Sequence, residues 1–233
     1  MRNLPRIACF HGGGSTSSIF SIQSAQLSEL LANEFEFVFF DGPFDRSAGP
    51  GVLPAFRGHG PYHSWFTVDD TGQELPDGGG FGNRDENGIS RVWKLIEAKG
   101  AGGDWVGVMG FSQGTRVAGG LLLDQQRRKA KGESIPREFD LRFGVMCMGG
   151  GAPMESEMSQ GAESSELVRT PTLHVHGLKD MFLMLGQHQL ATYYDPKTAT
   201  LYEVDYHHAM PWVRAEVDRF AELFRKTYMN TKG

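Results

Sequence analysis

Short apolar runs alternate along this chain with longer segments in which apolar residues recur every three or four positions. The short runs predict strands, and their unbroken apolar character is typical of strands that are buried on both faces. The longer segments predict amphipathic helices. A regular alternation of strand and helix predicts a mostly parallel central sheet with helices on both faces, which is the α/β class.

The predicted strands cover residues 5–10, 35–40, 104–110, 141–148, 172–176 and 199–204. The predicted helices cover residues 18–33, 84–99, 115–131, 181–194 and 211–228, the last with Pro211 in its first turn. Two irregular segments interrupt the alternation: a Gly- and Pro-rich stretch at 41–82 and a polar stretch at 149–170. We expect one domain over residues 1–233. Long irregular segments in a compact domain are usually binding loops or lids, or else disordered, and the aromatic residues of 41–82 argue against disorder for that segment.

Composition narrows the class of partner. The 233 residues carry a net charge of −5, which argues against binding to a nucleic acid backbone. No apolar run is long enough for a membrane helix, and the N-terminus shows no secretory signal pattern. Cys9 and Cys147 lie in apolar runs and are interpreted as reduced core thiols. These features favour a cytoplasmic protein without a nucleic acid or membrane partner.

A G-x-S-x-G pattern, Gly110-Phe111-Ser112-Gln113-Gly114, lies between a predicted strand and a predicted helix. A sharp strand-to-helix turn exposes a serine hydroxyl at the carboxyl end of the sheet, and small flanking residues let strand and helix pass closely. The pattern therefore predicts that Ser112 is a nucleophile. An ordinary exposed turn serine is the alternative, and the strand and helix on either side favour the nucleophile.

A nucleophilic serine needs a base, and the base needs an orienting acid. Asp180 follows the strand at 172–176, and a His-His pair, His207 and His208, follows the strand at 199–204. The order serine, acid, histidine is the one used by hydrolases that carry the G-x-S-x-G turn. Taken from the residues alone, either histidine could be the base.

Acyl transfer also needs donors for the developing oxyanion. The first predicted strand runs into His11-Gly12-Gly13-Gly14-Ser15, where glycines leave backbone N–H groups open to a ligand. We predict that the N–H groups of Gly13 and Gln113 form the oxyanion hole, with Gly14 as an alternative to Gly13. A phosphate loop is rejected because no Gly-Lys-Ser/Thr follows, and His11 is interpreted as structural.

Two other clusters are given the simpler interpretation. His174 and His176 share a strand face, but no third metal ligand is evident, so we expect no metal. Arg127, Arg128, Lys129 and Lys131 could attract an acidic carrier protein. They lie about 25 Å along the helix from Ser112, and cations in a last helical turn are favourable in any case.

Several longer stretches together resemble a known family: CFHGGGSTSSIF, FFDGPF, PYHSWF, GFSQGTRVAGGLLLDQQ, LHVHGLKD and HHAMP. They are similar to the fungal serine hydrolase (FSH) family of the α/β-hydrolases. More narrowly, they resemble the stand-alone thioesterases and esterases of fungal polyketide pathways, including those of lovastatin, citrinin and azaphilones. The resemblance implies the α/β-hydrolase fold and catalysis without a cofactor. Its base motif, histidine followed three residues later by proline, selects His208 and not His207.

The resemblance and the site residues together predict a serine hydrolase that releases a polyketide from the thioester of an acyl carrier protein. Two alternatives stay open: a carboxylesterase acting on small oxyesters, and a non-catalytic protein that holds an acyl chain. For the acyl chain we predict an apolar cover formed by segment 41–82, which holds Phe44, Phe56, Tyr62, Trp65 and Phe66. The predicted substrate contacts are Phe44, Trp65, Met181 and Met210.

Overall fold

A computed structural model describes residues 3–79, 88–133, 139–159 and 166–231. The strands are β1 (Arg6–Phe10), β2 (Glu36–Phe40), β3 (Phe44–Arg46), β4 (Tyr62–Ser64), β5 (Trp105–Phe111), β6 (Phe139–Cys147), β7 (Thr172–Gly177) and β8 (Ala199–Val204). The α-helices are α1 (Ser17–Gln23), α2 (Ala25–Leu30), α3 (Gly88–Glu97), α4 (Gly114–Ala130), α5 (Leu183–Tyr193) and α6 (Arg214–Met229). A short 3₁₀ helix covers Glu157–Ser159.

Six strands form the central sheet in the order β2-β1-β5-β6-β7-β8, and every neighbouring pair is parallel. The prediction of a parallel α/β sheet is therefore confirmed. All strands of a parallel sheet end at the same edge, so the loops after β1 and β5 lie side by side, as do the loops after β7 and β8. These four loops carry the residues that the sequence selects for catalysis.

Each face of the sheet has its own hydrophobic core. Alternate residues of β1 serve the two faces: Ile7 packs in one core, and Ala8 packs in the other. The first core contains apolar residues of α1, α2 and α6, and the second contains those of α3 and α4. Both faces are thus covered by helices, which explains why the strands are apolar at successive positions.

The structure differs from the sequence predictions in the helix at 18–33, in the start of the last helix and in segment 41–82. The helix expected at 18–33 is two helices that meet at Ser24, where α1 ends and α2 begins. The last helix begins at Arg214, so Pro211 lies before the helix and not in its first turn as predicted. Segment 41–82 is not wholly irregular, because β3 and β4 form an antiparallel hairpin within it. The start of the helix predicted at 84–99 and the middle of loop 149–170 lie outside the described residues.

Both cysteines are buried core residues without a disulfide, as the sequence predicts. Burial in apolar surroundings raises the pKa of both the Cys9 and the Cys147 thiol, so neither is a reactive thiolate. None of the helices in the described part of the chain combines the length and hydropathy of a membrane-spanning segment.

Candidate active site

Ser112 occupies a strained turn between β5 and α4. Its φ is 52°, in the left-handed region that residues with a side chain rarely adopt. The surrounding backbone holds this conformation: the Ser112 N–H donates to Cys147 O at 2.9 Å, and the Thr115 hydroxyl donates to Ser112 O at 2.7 Å. Strain that is maintained by such contacts is typical of functional residues.

The glycines on either side of the turn are required by packing. A Cβ on Gly110 would overlap the carbonyl of Gly114, and a Cβ on Gly114 would overlap the carbonyl of Phe10. The turn therefore brings β5, α4 and the end of β1 into direct backbone contact. A Cβ on Gly12 would lie 3.1 Å from the Cβ of Ser112, so the glycine loop after β1 passes directly beside the serine.

Asp180 and His208 form a buried pair. His208 Nδ1 lies 2.7 Å from Asp180 Oδ2, and the side chains are only 13% and 2% exposed. The Phe182 N–H donates to the other carboxylate oxygen at 2.8 Å and fixes its orientation. With Nδ1 engaged by the carboxylate, Nε2 of His208 is the nitrogen left to exchange a proton with a hydroxyl.

The neighbouring histidine is directed elsewhere. His207 is exposed, and its Nδ1 lies 3.1 Å from the carbonyl of Lys179. The ring of His208 instead packs between Phe111 and Phe182, with a centroid distance of 5.0 Å to each. Only His208 of the two lines the same cleft as Ser112, which agrees with the choice that the family motif implies.

The predicted oxyanion donors both line this cleft. Within the described ranges, neither the Gly13 N–H nor the Gln113 N–H donates a hydrogen bond to another residue. Gln113 immediately precedes α4, so the positive end of the helix dipole helps its N–H to stabilise a negative charge. Gly14 is not an alternative donor, because its N–H already donates to His63 O at 2.8 Å.

His11 supports the glycine loop and does not face the cleft. It is fully buried, its Nδ1 lies 2.7 Å from Gly12 O, and its Nε2 accepts from the Gly42 N–H at 2.9 Å. A carbonyl on one nitrogen and an N–H on the other require the neutral Nδ1–H tautomer. Burial lowers the pKa of His11 to about 4, which keeps the imidazole neutral.

An open cleft of about 470 Å³ lies in front of these groups. One wall comes from segment 41–82, with Arg46, Glu74 and the run from Ser47 to Val52. Apolar side chains contribute elsewhere in the lining, among them Phe111, Met148, Phe182 and Leu185. The cleft therefore has both a charged wall and an apolar one.

The four predicted substrate contacts do not line this cleft, which corrects that part of the sequence analysis. Phe44, Trp65 and Met210 are buried, each less than 8% exposed, because they pack inside the protein. Met181 is 76% exposed and faces solvent. An aromatic or a methionine near a site in sequence can thus serve the core or the surface.

Trp65 has a clear structural role. Its indole N–H donates to His11 O at 2.9 Å, and its backbone N–H donates to Gln113 Oε1 at 3.0 Å. It therefore joins the glycine loop to the residue after the nucleophile. Trp65 is 1% exposed and packs inside the protein beside the predicted oxyanion donors.

A charged network around Glu74 was not anticipated from the sequence. The Glu74 carboxylate accepts from Gln113 Nε2 at 2.6 Å, from Arg46 Nη1 at 3.1 Å and from Arg116 Nη1. Burial lowers the pKa of Arg116 from its ordinary value and Glu74 opposes this, but an arginine remains charged at any physiological pH. No sequence pattern links Glu74 to Arg116, because only the tertiary fold brings them together.

The structure shows the surroundings of the histidine pair and of the basic helix end. His174 and His176 are buried in β7, and no group of metal-ligating side chains is present among the described residues. Arg127, Arg128 and Lys129 pair with carboxylates. These pairs support a structural role for the basic helix end.

Comparison with known proteins agrees with this geometry. A family model described as "Serine hydrolase (FSH1)" matches residues 1–220, and the chain belongs to this family. It is 33% identical to "Esterase citA" of Monascus ruber over 98% of this chain and 94% of that protein. It is 37% identical to "Probable esterase tazC" of Aspergillus terreus over 89% of this chain and 86% of that protein.

Solved structures show the same fold at lower identity. Acyl-protein thioesterase 2 of Zea mays superposes with a TM-score of 0.59 at 18% identity, covering 98% of this chain and 95% of that one. Esterase PE8 superposes with a TM-score of 0.56 at 16% identity, covering 97% and 94%. The chain has the α/β-hydrolase fold and is a serine hydrolase of the esterase type, which sets aside the non-catalytic alternative.

Proposed function

We propose that this protein hydrolyses acyl thioesters with Ser112 as nucleophile, His208 as general base and acid, and Asp180 as the group that orients His208. One observation carries the assignment of roles: a strained serine and a buried Asp–His pair line or adjoin one open cleft. The substrate we favour is a polyketide held as a thioester on an acyl carrier protein, with water as the acceptor.

The reaction proceeds in two balanced halves. The Ser112 oxygen bonds to the acyl carbon while its proton passes to Nε2 of His208, and the oxyanion that forms faces the N–H groups of Gly13 and Gln113. The carbon–sulfur bond then breaks, and His208 returns the proton to the leaving thiolate. In the second half, water bonds to the acyl carbon, His208 takes its proton, and the carboxylic acid leaves as Ser112 regains a proton.

Asp180 contributes through charge and orientation. Its carboxylate lies against Nδ1 of His208, so it fixes the tautomer that leaves Nε2 free and stabilises the imidazolium formed during attack. The aromatic rings of Phe111 and Phe182 shield this pair from water. Shielding strengthens the electrostatic interaction, because the local dielectric is lower than that of bulk water.

Two features favour a thioester. The cleft is open to solvent, so an acyl group attached to a long thiol arm can reach Ser112. A thiol is also a better leaving group than an alcohol and needs less proton donation from His208. The relatives named as esterases favour a second candidate, hydrolysis of small oxyesters.

Matched octanoyl substrates test the proposal: an N-acetylcysteamine thioester and the corresponding oxyester, with Ser112→Ala as the blank. The expected result is a higher kcat/KM for the thioester after each rate is divided by its rate of uncatalysed hydrolysis. An oxyester preference on this normalised scale would favour the esterase. For the carrier protein, intact mass spectrometry of acylated carrier proteins before and after incubation should show loss of the acyl group.

A further inference from the structure

The lining of the cleft includes more positive than negative side chains. Among the described residues that line the cleft, the arginines and carboxylates are Arg46, Arg116 and Glu74. Glu74 bonds to both guanidinium groups, so one carboxylate is shared between two cations. Two cations therefore share one carboxylate among the residues that line the cleft.

Arg46 is placed to use its charge on a substrate. Its Nη1 donates to Glu74 Oε1 at 3.1 Å and to Ser64 Oγ at 3.4 Å. An arginine has five N–H donors, and its remaining ones have no partner among the described residues. The side chain is 45% exposed and lines the cleft.

The cation also lies next to the predicted oxyanion hole. A Cβ on Gly13 would stand 3.2 Å from Arg46 Nη1, so the guanidinium lies beside the glycine whose N–H is a proposed oxyanion donor. A substrate oxygen that accepts a hydrogen bond from Arg46 would therefore belong to the part of the acyl group nearest the reacting carbonyl. An oxygen near the far end of the acyl group would not reach Arg46.

Arg116 completes the wall but is less free. Its Nε donates to Ala152 O at 2.9 Å, its guanidinium lies 3.8 Å from the centroid of the Phe66 ring, and its side chain is only 14% exposed. These contacts fix Arg116, and Glu74 then holds Arg46 against it. The arrangement keeps Arg46 in place before substrate binds, which reduces the entropy lost on binding.

We infer that Arg46, held by Glu74 and Arg116, forms a cationic subsite that selects acyl groups with a hydrogen-bond-accepting oxygen close to the reacting carbonyl. A β-oxoacyl thioester is the simplest such substrate. This inference rests on the proposed thioester hydrolysis and specifies the acyl group. The step catalysed is unchanged, and Arg46 exchanges no proton with the substrate.

The experiment compares three N-acetylcysteamine thioesters of equal chain length: octanoyl, β-oxooctanoyl and an isomer whose oxo group is near the far end of the chain. These probes contain no phosphate, so binding of a carrier arm's phosphate cannot produce the effect. Each kcat/KM is divided by the rate of hydroxide-catalysed hydrolysis, which removes the intrinsic reactivity of the β-oxo group. Arg57→Gln is the control, an exposed arginine of the same insert outside the cleft.

Arg46→Gln should lower the normalised ratio of β-oxooctanoyl to octanoyl by roughly tenfold or more, because a charge-assisted hydrogen bond is lost. Arg57→Gln should leave the ratio as in the wild type. An unchanged ratio in Arg46→Gln overturns the inference. An equal loss for both substrates also overturns it, since Arg46 would then stabilise the oxyanion common to all acyl groups.

If Arg46→Gln does not fold, the inference is tested with the wild-type protein, by comparing substrates that differ only in the position of the oxo group. The β-oxo substrate must exceed its far-end isomer on the normalised scale, and equal values overturn the inference. Failure of the proposed function gives a different result: no thioester would then be hydrolysed faster by the wild type than by Ser112→Ala. Serine-dependent hydrolysis without an oxo preference rejects the subsite alone.

Discussion

The most quantitative prediction concerns a buried histidine outside the catalytic pair. His174 lies in β7 with no exposed surface, and burial together with nearby His176 lowers its pKa to about 3, against an ordinary value of 6.5. Its Nε2 lies 3.1 Å from Thr172 Oγ1, its Nδ1 is unpartnered, and its ring packs 4.4 Å from that of Tyr194. A proton on this imidazole therefore has no anionic partner in the contacts described.

The direction of the pH effect follows from these values. Below about pH 6.5 the unfolded chain binds a proton at His174, while the folded protein stays neutral there until about pH 3. Between those limits only the unfolded chain gains this proton, which stabilises the unfolded state. The free energy of unfolding therefore decreases as the pH falls. The loss between pH 7 and pH 4.5 is roughly 2–3 kcal/mol.

His174→Leu isolates this contribution, because leucine is apolar, does not titrate and fits a buried strand. The free energy of unfolding of each protein is measured by urea titration with tryptophan fluorescence at several pH values from 7 to 4.5. The wild-type value minus the variant value should fall by roughly 2–3 kcal/mol across that range. His59→Leu, at an exposed position, is the reference for removing an imidazole without burial. A difference that does not change with pH would refute the reasoning.

Four further predictions concern the site. Ser112→Ala should lower kcat by about 10⁴- to 10⁶-fold without changing the far-ultraviolet circular dichroism spectrum. His208→Ala should lose activity to a similar extent and His207→Ala far less; the reverse order of kcat values would move the base by one residue. Leu185→Ala should lower kcat/KM for octanoyl relative to butanoyl thioester, by about 0.8 kcal/mol for each methylene that loses its contact. Trp65→Ala should lower the free energy of unfolding by about 3–5 kcal/mol and lower kcat alike for short and long chains, and a selective loss on long chains would return Trp65 to the acyl site.

The strained serine turn is recognisable from the sequence because its constraints are local. A serine between glycines, after an apolar strand and before a helix, encodes the sharp turn within five residues. The steric contacts of Gly110 and Gly114 explain why no larger residue can replace them. The positions of Asp180 and His208 after successive strands were also readable, because parallel strands all end at one edge of the sheet.

The substrate residues were not readable, because exposure depends on packing between distant segments. Trp65 and Met181 both lie near catalytic segments, yet one is 1% exposed and the other 76%. The helix at 18–33 was similarly misjudged, since the apolar periodicity continues across Ser24 where the helix is interrupted.

By itself, the sequence determined the α/β class, the order of strands and helices along the chain, the serine turn with its glycines, and the candidate acid and histidine pair that follow it. These depend on periodicity and on turn chemistry, which act between residues close in the chain. The tertiary structure alone decided that His208 faces Asp180, that Gly14 is already bonded to His63, and that Glu74 joins Arg46 to Arg116. Each of these is a contact between segments far apart in the chain, and its geometry exists only once the sheet and its loops have packed.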